Sequence, residues 1–116
     1  MAIYELTADA IIRVEETSLV SQGIKERGDL QRILRTQLTT ILPGTYVLAE
    51  EFGEWEDARR SIDLLCVDNK ANLVVVELKR TEDGGHMELQ AIRYAAMVSK
   101  MTFADAVAAH ASFLKN

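Results

Sequence analysis

Apolar and polar positions along the chain change period several times, and each change marks an element. The runs 62–67 (IDLLCV) and 73–78 (LVVVEL) are dense in Val, Leu and Ile, and the five residues between them, Asp68-Asn69-Lys70-Ala71-Asn72, are turn formers. This pattern predicts a β-hairpin. If Val67 faces Leu73, counting outward sets Asp63 directly opposite Glu77, and side-chain alternation sends Asp63, Glu77 and Lys79 to one face. Near-continuous apolar runs also predict strands covered on both faces.

Upstream, 3–6 and 11–15 are short β-prone runs around Thr7-Ala8-Asp9-Ala10. They predict a small hairpin that either folds over the core as a flap or extends an edge for dimerisation. Residues 17–23 form a connector, with Ser21 as a candidate helix cap. From 24 to 41, Ile24, Leu30, Ile33, Leu34, Leu38 and Ile41 follow a helical stripe that Pro43-Gly44 terminates. A strand is predicted over 45–52, its alternation fading at Glu50-Glu51. The polar loop 53–58 carries the single tryptophan, Trp55, placed either to stack on a base or to pack back on the sheet.

After the central hairpin come an acidic loop at 81–85, then His86, read as a structural histidine or a phosphate contact, and a helix over 87–99. A last helix begins at Thr102, whose spacing to Asp105 is that of a capping box. On it Phe103, Val107, His110 and Leu114 share a face, which makes His110 a core or interface residue. No glycine or proline closes this helix, which suggests a domain cut from a longer protein or a helix that docks on a partner.

With 116 residues, 48% of them hydrophobic, the chain has material for one domain with a real core. Its expected parts are a β extension at 1–20, a core at 24–101 and a C-terminal helix at 102–116. No apolar run approaches about eighteen residues, so no membrane span is expected. The N-terminus also lacks a basic-then-apolar leader. Cys66, the lone cysteine, falls within a strand on the face away from Asp63; a buried, reduced thiol in a cytoplasmic protein is expected. The net charge of −5 weighs against nucleic acid, because Lys and Arg on phosphates supply most non-specific affinity. Basic residues nonetheless gather locally, with Lys25, Arg27, Arg32 and Arg35 in one segment and Arg59, Arg60, Lys79 and Arg80 around the hairpin.

These charges suggest a chemistry. Two carboxylates directly opposed on an apolar sheet repel each other and are costly to desolvate. A divalent cation between them removes the conflict. Hard cations such as Mg²⁺ take one or two carboxylates and keep several waters. They stabilise charge on phosphate and make bound water easier to deprotonate. Lys79, two residues beyond Glu77, supplies a compact flexible positive charge for the attacking water or the phosphate. The set fits metal-assisted phosphodiester hydrolysis.

Asp63 followed by Glu77-Leu78-Lys79 resembles the PD-(D/E)XK nuclease superfamily, and Gln90-Ala91-Ile92-Arg93-Tyr94 resembles the QxxxY element found in part of it. The stretch SIDLLCVDNKANLVVVELKR is similar to nuclease domains of the NucS/EndoMS type. The chain departs at Ser61-Ile62-Asp63, which lacks the proline of the superfamily name. The resemblance covers 60–94 well, extends back to Lys25, and does not reach further upstream.

It implies an α/β, restriction-endonuclease-like core with a central mixed sheet flanked by helices. The implied activity is a divalent-metal-dependent endonuclease acting on DNA, with Mg²⁺, or Mn²⁺ in its place. Asp63, Glu77 and the Leu78 carbonyl would bind the ion. An acid of the first helix, Glu26 or its neighbour Asp29, would reach it through water. Lys79 would act on the nucleophile, and Gln90 and Tyr94 would orient the site or the DNA backbone, with Lys25, Arg59, Arg60 and Arg80 against phosphates. A homodimer, or further domains of a longer chain, would complete the binding surface. The alternative is a module that keeps the fold but binds or dimerises without cutting.

Overall fold

The computed structural model describes residues 1–53, 61–79 and 87–115. In order, these form strands β1 (Ile3–Leu6) and β2 (Ile11–Val14), a π-helical turn (Glu26–Gln31) leading into helix α1 (Arg32–Ile41), and strands β3 (Thr45–Phe52), β4 (Ile62–Asp68) and β5 (Leu73–Val76). Helices α2 (Met87–Val98) and α3 (Phe103–Leu114) follow. The expectations placed on Trp55, Arg59, Arg60, Arg80 and His86 lie outside the described residues.

The fold mixes helices with two sheets, β1-β2 and β3-β4-β5. Every strand pair is antiparallel, so among the described residues the sheet is not the mixed one expected. β4 lies in the centre and is almost wholly buried, whereas β5 at the edge is half-buried throughout. The expected cover on both faces therefore holds for β4 alone. The hairpin register is the one the loop dictates, Val67 against Leu73 and Leu64 against Val76. The Asp68 side chain closes the loop by accepting from the N–H groups of Lys70 and Asn72, both at 2.9 Å.

Two apolar clusters sandwich the sheet. Leu38, Leu64 and Cys66 pack with Leu34, Val47, Val74 and Val76 on the α1 side. Ala49, Ile62, Leu65, Tyr94 and Val98 pack with Leu73, Val75 and Phe113 on the side of α2 and α3. Strict alternation would place Ile62 with Leu64, yet it joins the cluster of Leu65. The alternation of β4 thus breaks beside Asp63.

The first helix departs from its apolar stripe. It opens as a π-turn in which the Leu30 N–H reaches the Lys25 carbonyl at 2.9 Å, and Gln37 leaves helical geometry at φ −126°. Ile33 and Ile41 of the stripe are exposed. Ser21 caps nothing on this helix and instead closes a local turn on Ser18. At α3 the capping box between Thr102 and Asp105 is present as spaced.

The N-terminal hairpin is no flap. Every residue of β1 and β2 is exposed, so its apolar side chains cover none of the core. With the arm included, the molecule is elongated, 54 × 30 × 26 Å.

Candidate metal and phosphoryl-transfer site

The open end of the β4–β5 ladder, past the Leu64–Val76 pair, positions the two central acids. The Asp63 N–H donates to Glu77 Oε1 at 3.3 Å, and Asp63 Oδ2 accepts from the Leu78 N–H at 2.9 Å. Asp63 is only 8% exposed. Burial first, and the charge of Asp63 second, push the Glu77 carboxyl up to about 7 from its ordinary 4.5. The Asp63 N–H and the Lys79 ammonium pull the other way without prevailing. This is the conflict between close carboxylates expected from the register, held in a partly desolvated place.

Lys79 Nζ lies 3.9 Å from Glu26 Oε1, each side chain about one-third exposed. The π-turn thereby brings the first helix to the same corner as the ladder end. Asp29, the other acid considered for that helix, is turned away: its Oδ2 accepts from the Lys25 N–H at 2.8 Å and its Oδ1 lies 3.6 Å from Arg32. Lys25 is exposed at the helix entry.

Gln90 and Tyr94 pair with each other on α2, Gln90 Nε2 donating to the Tyr94 hydroxyl at 3.4 Å. Tyr94 is buried in the cluster that contains Ile62, the chain neighbour of Asp63. Its ring belongs to the core, and its hydroxyl is held by Gln90.

One further group was not singled out from sequence. The pairs Glu50–Leu64 and Phe52–Ile62 bracket Glu51 opposite Asp63 on the other neighbouring strand. Glu51 adopts φ +53°, an unfavourable conformation for a side chain with a Cβ. Its carboxylate accepts from Gln31 Nε2 at 3.0 Å and from the Ser61 hydroxyl at 2.9 Å. Gln31 is 4% exposed, and with its amide nitrogen fixed by Glu51, its buried Oε1 has no partner among the described residues. The fading alternation at Glu50-Glu51 was the only signal of this arrangement.

The ligating side chains at the ladder end are both carboxylates, Asp63 and Glu77. Among the described residues, no group of three or more His, Cys, Asp or Glu is placed to hold a metal ion. Two carboxylates do not make a cage of protein ligands; any cation held there would have to be a hard one that keeps most of its own waters. The thiol of Cys66 is buried with Leu38 and Leu64, and burial pushes it up to about 12.

No helix among the described residues is long and apolar enough to cross a membrane. Comparison of the chain with protein-family models, with curated proteins and with solved structures gives no match, so what it does is to be argued from these side chains alone.

Proposed function

We propose that the chain is a divalent-metal-dependent endonuclease domain that hydrolyses phosphodiester bonds in DNA. The observation that carries this reading is the meeting of Asp63, Glu77, Lys79 and Glu26, from two strand ends and a helix start, around a carboxyl pushed up to about 7. Asp63, Glu77 and the Leu78 carbonyl would hold Mg²⁺ or Mn²⁺. When bound, the ion would offset negative charge on the phosphate and acidify a coordinated water. Lys79 places its ammonium where a charge-assisted hydrogen bond to the attacking water or a phosphate oxygen is available. Glu26 steadies Lys79 and accepts a hydrogen bond from water at the same corner. Gln90, by holding the Tyr94 hydroxyl, fixes the α2 surface against Ile62 and so the strand segment that carries Asp63. Lys25, together with Arg59, Arg60 and Arg80, is assigned to the DNA backbone.

One alternative is a module that binds nucleic acid or dimerises without cutting, and the net charge of −5 speaks for its dimerising form. Incubation of single-stranded, duplex, branched and mismatched DNA with the chain and Mn²⁺ decides between them. The nuclease reading requires cleavage that Lys79→Ala removes while binding falls only slightly, because the lysine acts mainly on the transition state. Binding without cleavage under every metal selects the alternative. Equal cleavage by Lys79→Ala assigns the activity elsewhere.

A further inference from the structure

We infer that the β1–β2 arm of one chain seats in an apolar groove of a second copy, the two copies exchanging arms about a two-fold axis. The arm exposes six large apolar side chains, from Ile12 at 49% to Leu6 at 77%. Its register places Ile3, Ile12 and Val14 on one face and Tyr4, Leu6 and Ile11 on the other, so neither face is polar. A lone two-stranded hairpin is marginal in water and needs a third strand or a packing surface.

The same chain carries a groove that nothing among its described residues fills. A cavity of about 360 Å³ opens between α3 and the β4–β5 loop, lined by Leu48, Val67, Leu73, Met101, Phe103 and Val107 among others. Among the described residues, Thr102 and His110 are the only polar side chains in the lining, and His110 Nδ1 donates to the Leu48 carbonyl at 2.8 Å. An apolar occupant therefore leaves no buried charge unmatched there.

Charge selects which apolar occupant. The arm and its stem expose Glu5, Asp9, Glu15 and Glu16 against Arg13 alone. Lys70, Lys100 and Lys115 are exposed beside the lining residues Ala71, Met101 and Leu114, whereas Asp68 and Asp105, beside Val67 and Ala106, have their carboxylates engaged by backbone N–H groups of the loop and of Thr102. The arm is thus apolar and net acidic, while the residues beside the groove carry an excess of exposed lysine, both on one sequence. Reciprocal seating closes the assembly as an isologous dimer, whereas arm-to-groove contact in one direction only would build open chains. This inference does not depend on the nuclease reading.

Sedimentation equilibrium of the full chain at tens of micromolar tests it. The expected mass is twice the 13.0 kDa of one chain. The double substitution Leu6→Glu with Ile11→Glu in the arm, and Val107→Glu in the groove, should each return the mass to that of one chain with unchanged circular dichroism. Mixing the arm variant with the groove variant should restore a dimer held by one intact seat. Phe103→Glu, at a side chain 83% exposed, provides a second groove variant should Val107→Glu not fold. A single-chain mass for the wild type overturns the inference, and so does a groove variant that folds and dimerises as the wild type does.

Discussion

Asp63 and Glu77 hold each other through the backbone: the Asp63 N–H donates to Glu77 Oε1, and Asp63 Oδ2 accepts from the residue immediately after Glu77. The two carboxyls are thus fixed in position as well as opposed.

A pH dependence follows from that fixation. Burial, then Asp63, raise Glu77 from 4.5 to about 7, so within that interval the native chain keeps a proton that the unfolded chain has released. Folding is disfavoured increasingly as pH climbs from 4.5 to about 7, and the penalty is complete above it. Glu77→Gln, which carries no charge, should gain melting temperature over the wild type as pH rises through this window. Parallel melting curves for the two proteins at every pH would show that Glu77 titrates as an ordinary carboxylate.

A divalent cation should relieve the same penalty. At about a hundred times its Kd, a ligand bound only by the native state adds about 2.7 kcal/mol. Thermal melts with Mn²⁺ should therefore rise in the wild type and stay flat in Asp63→Asn. An identical response in both proteins would place any bound ion elsewhere.

The hairpin was legible in the sequence because its loop and its two apolar runs leave a single register that buries β4. The meeting of Glu26 with Lys79 was less so. An apolar stripe reports which side of a helix faces the core, but not that its first turn is wound on five-residue hydrogen bonds, and that winding sets where Glu26 points. The left-handed backbone at Glu51 and its bond to Gln31 left only the fading alternation at Glu50-Glu51, since both arise from contacts between elements distant in sequence. Where the arm packs was less legible for the converse reason: Ile3, Tyr4, Leu6, Ile11 and Ile12 look like core residues, and apolar side chains alone do not choose between a flap and an edge for a partner.

Glu26→Gln separates stability from chemistry. The 3.9 Å pair with Lys79 is partly exposed, and such pairs contribute less than about 1 kcal/mol. Urea midpoints should barely move, while loss of the group that steadies Lys79 should slow cleavage by about tenfold or more. A large drop in stability with unchanged cleavage would make Glu26 a structural residue only.

The hairpin loop offers a stabilising change. Ala71 sits at φ +65°, where a Cβ is strained and glycine is not. Ala71→Gly should raise stability by about 1 kcal/mol. Asp68→Ala, which removes the acceptor for the Lys70 and Asn72 N–H groups, should lower it. Chemical denaturation of the two variants checks the opposite signs.

Cys66, buried and pushed up to about 12, should resist iodoacetamide in the native chain and react fully once unfolded. Rapid native labelling at neutral pH would mean that β4 opens far more readily than its burial implies.

The π-turn at the start of the first helix makes this corner sensitive to a particular genetic lesion. Gly28 lies in the middle of that turn, exposed, the poorest helix former in the segment. Loss of its single codon would let the turn rewind toward ordinary α-helical hydrogen bonding while α1 and the core beneath it stay in place. Glu26 would then swing by about 100° around the helix axis, away from Lys79. A reading-frame-preserving deletion far from Asp63 and Glu77 in sequence would thus dismantle the corner they share, and the folded chain would show little outward sign of it.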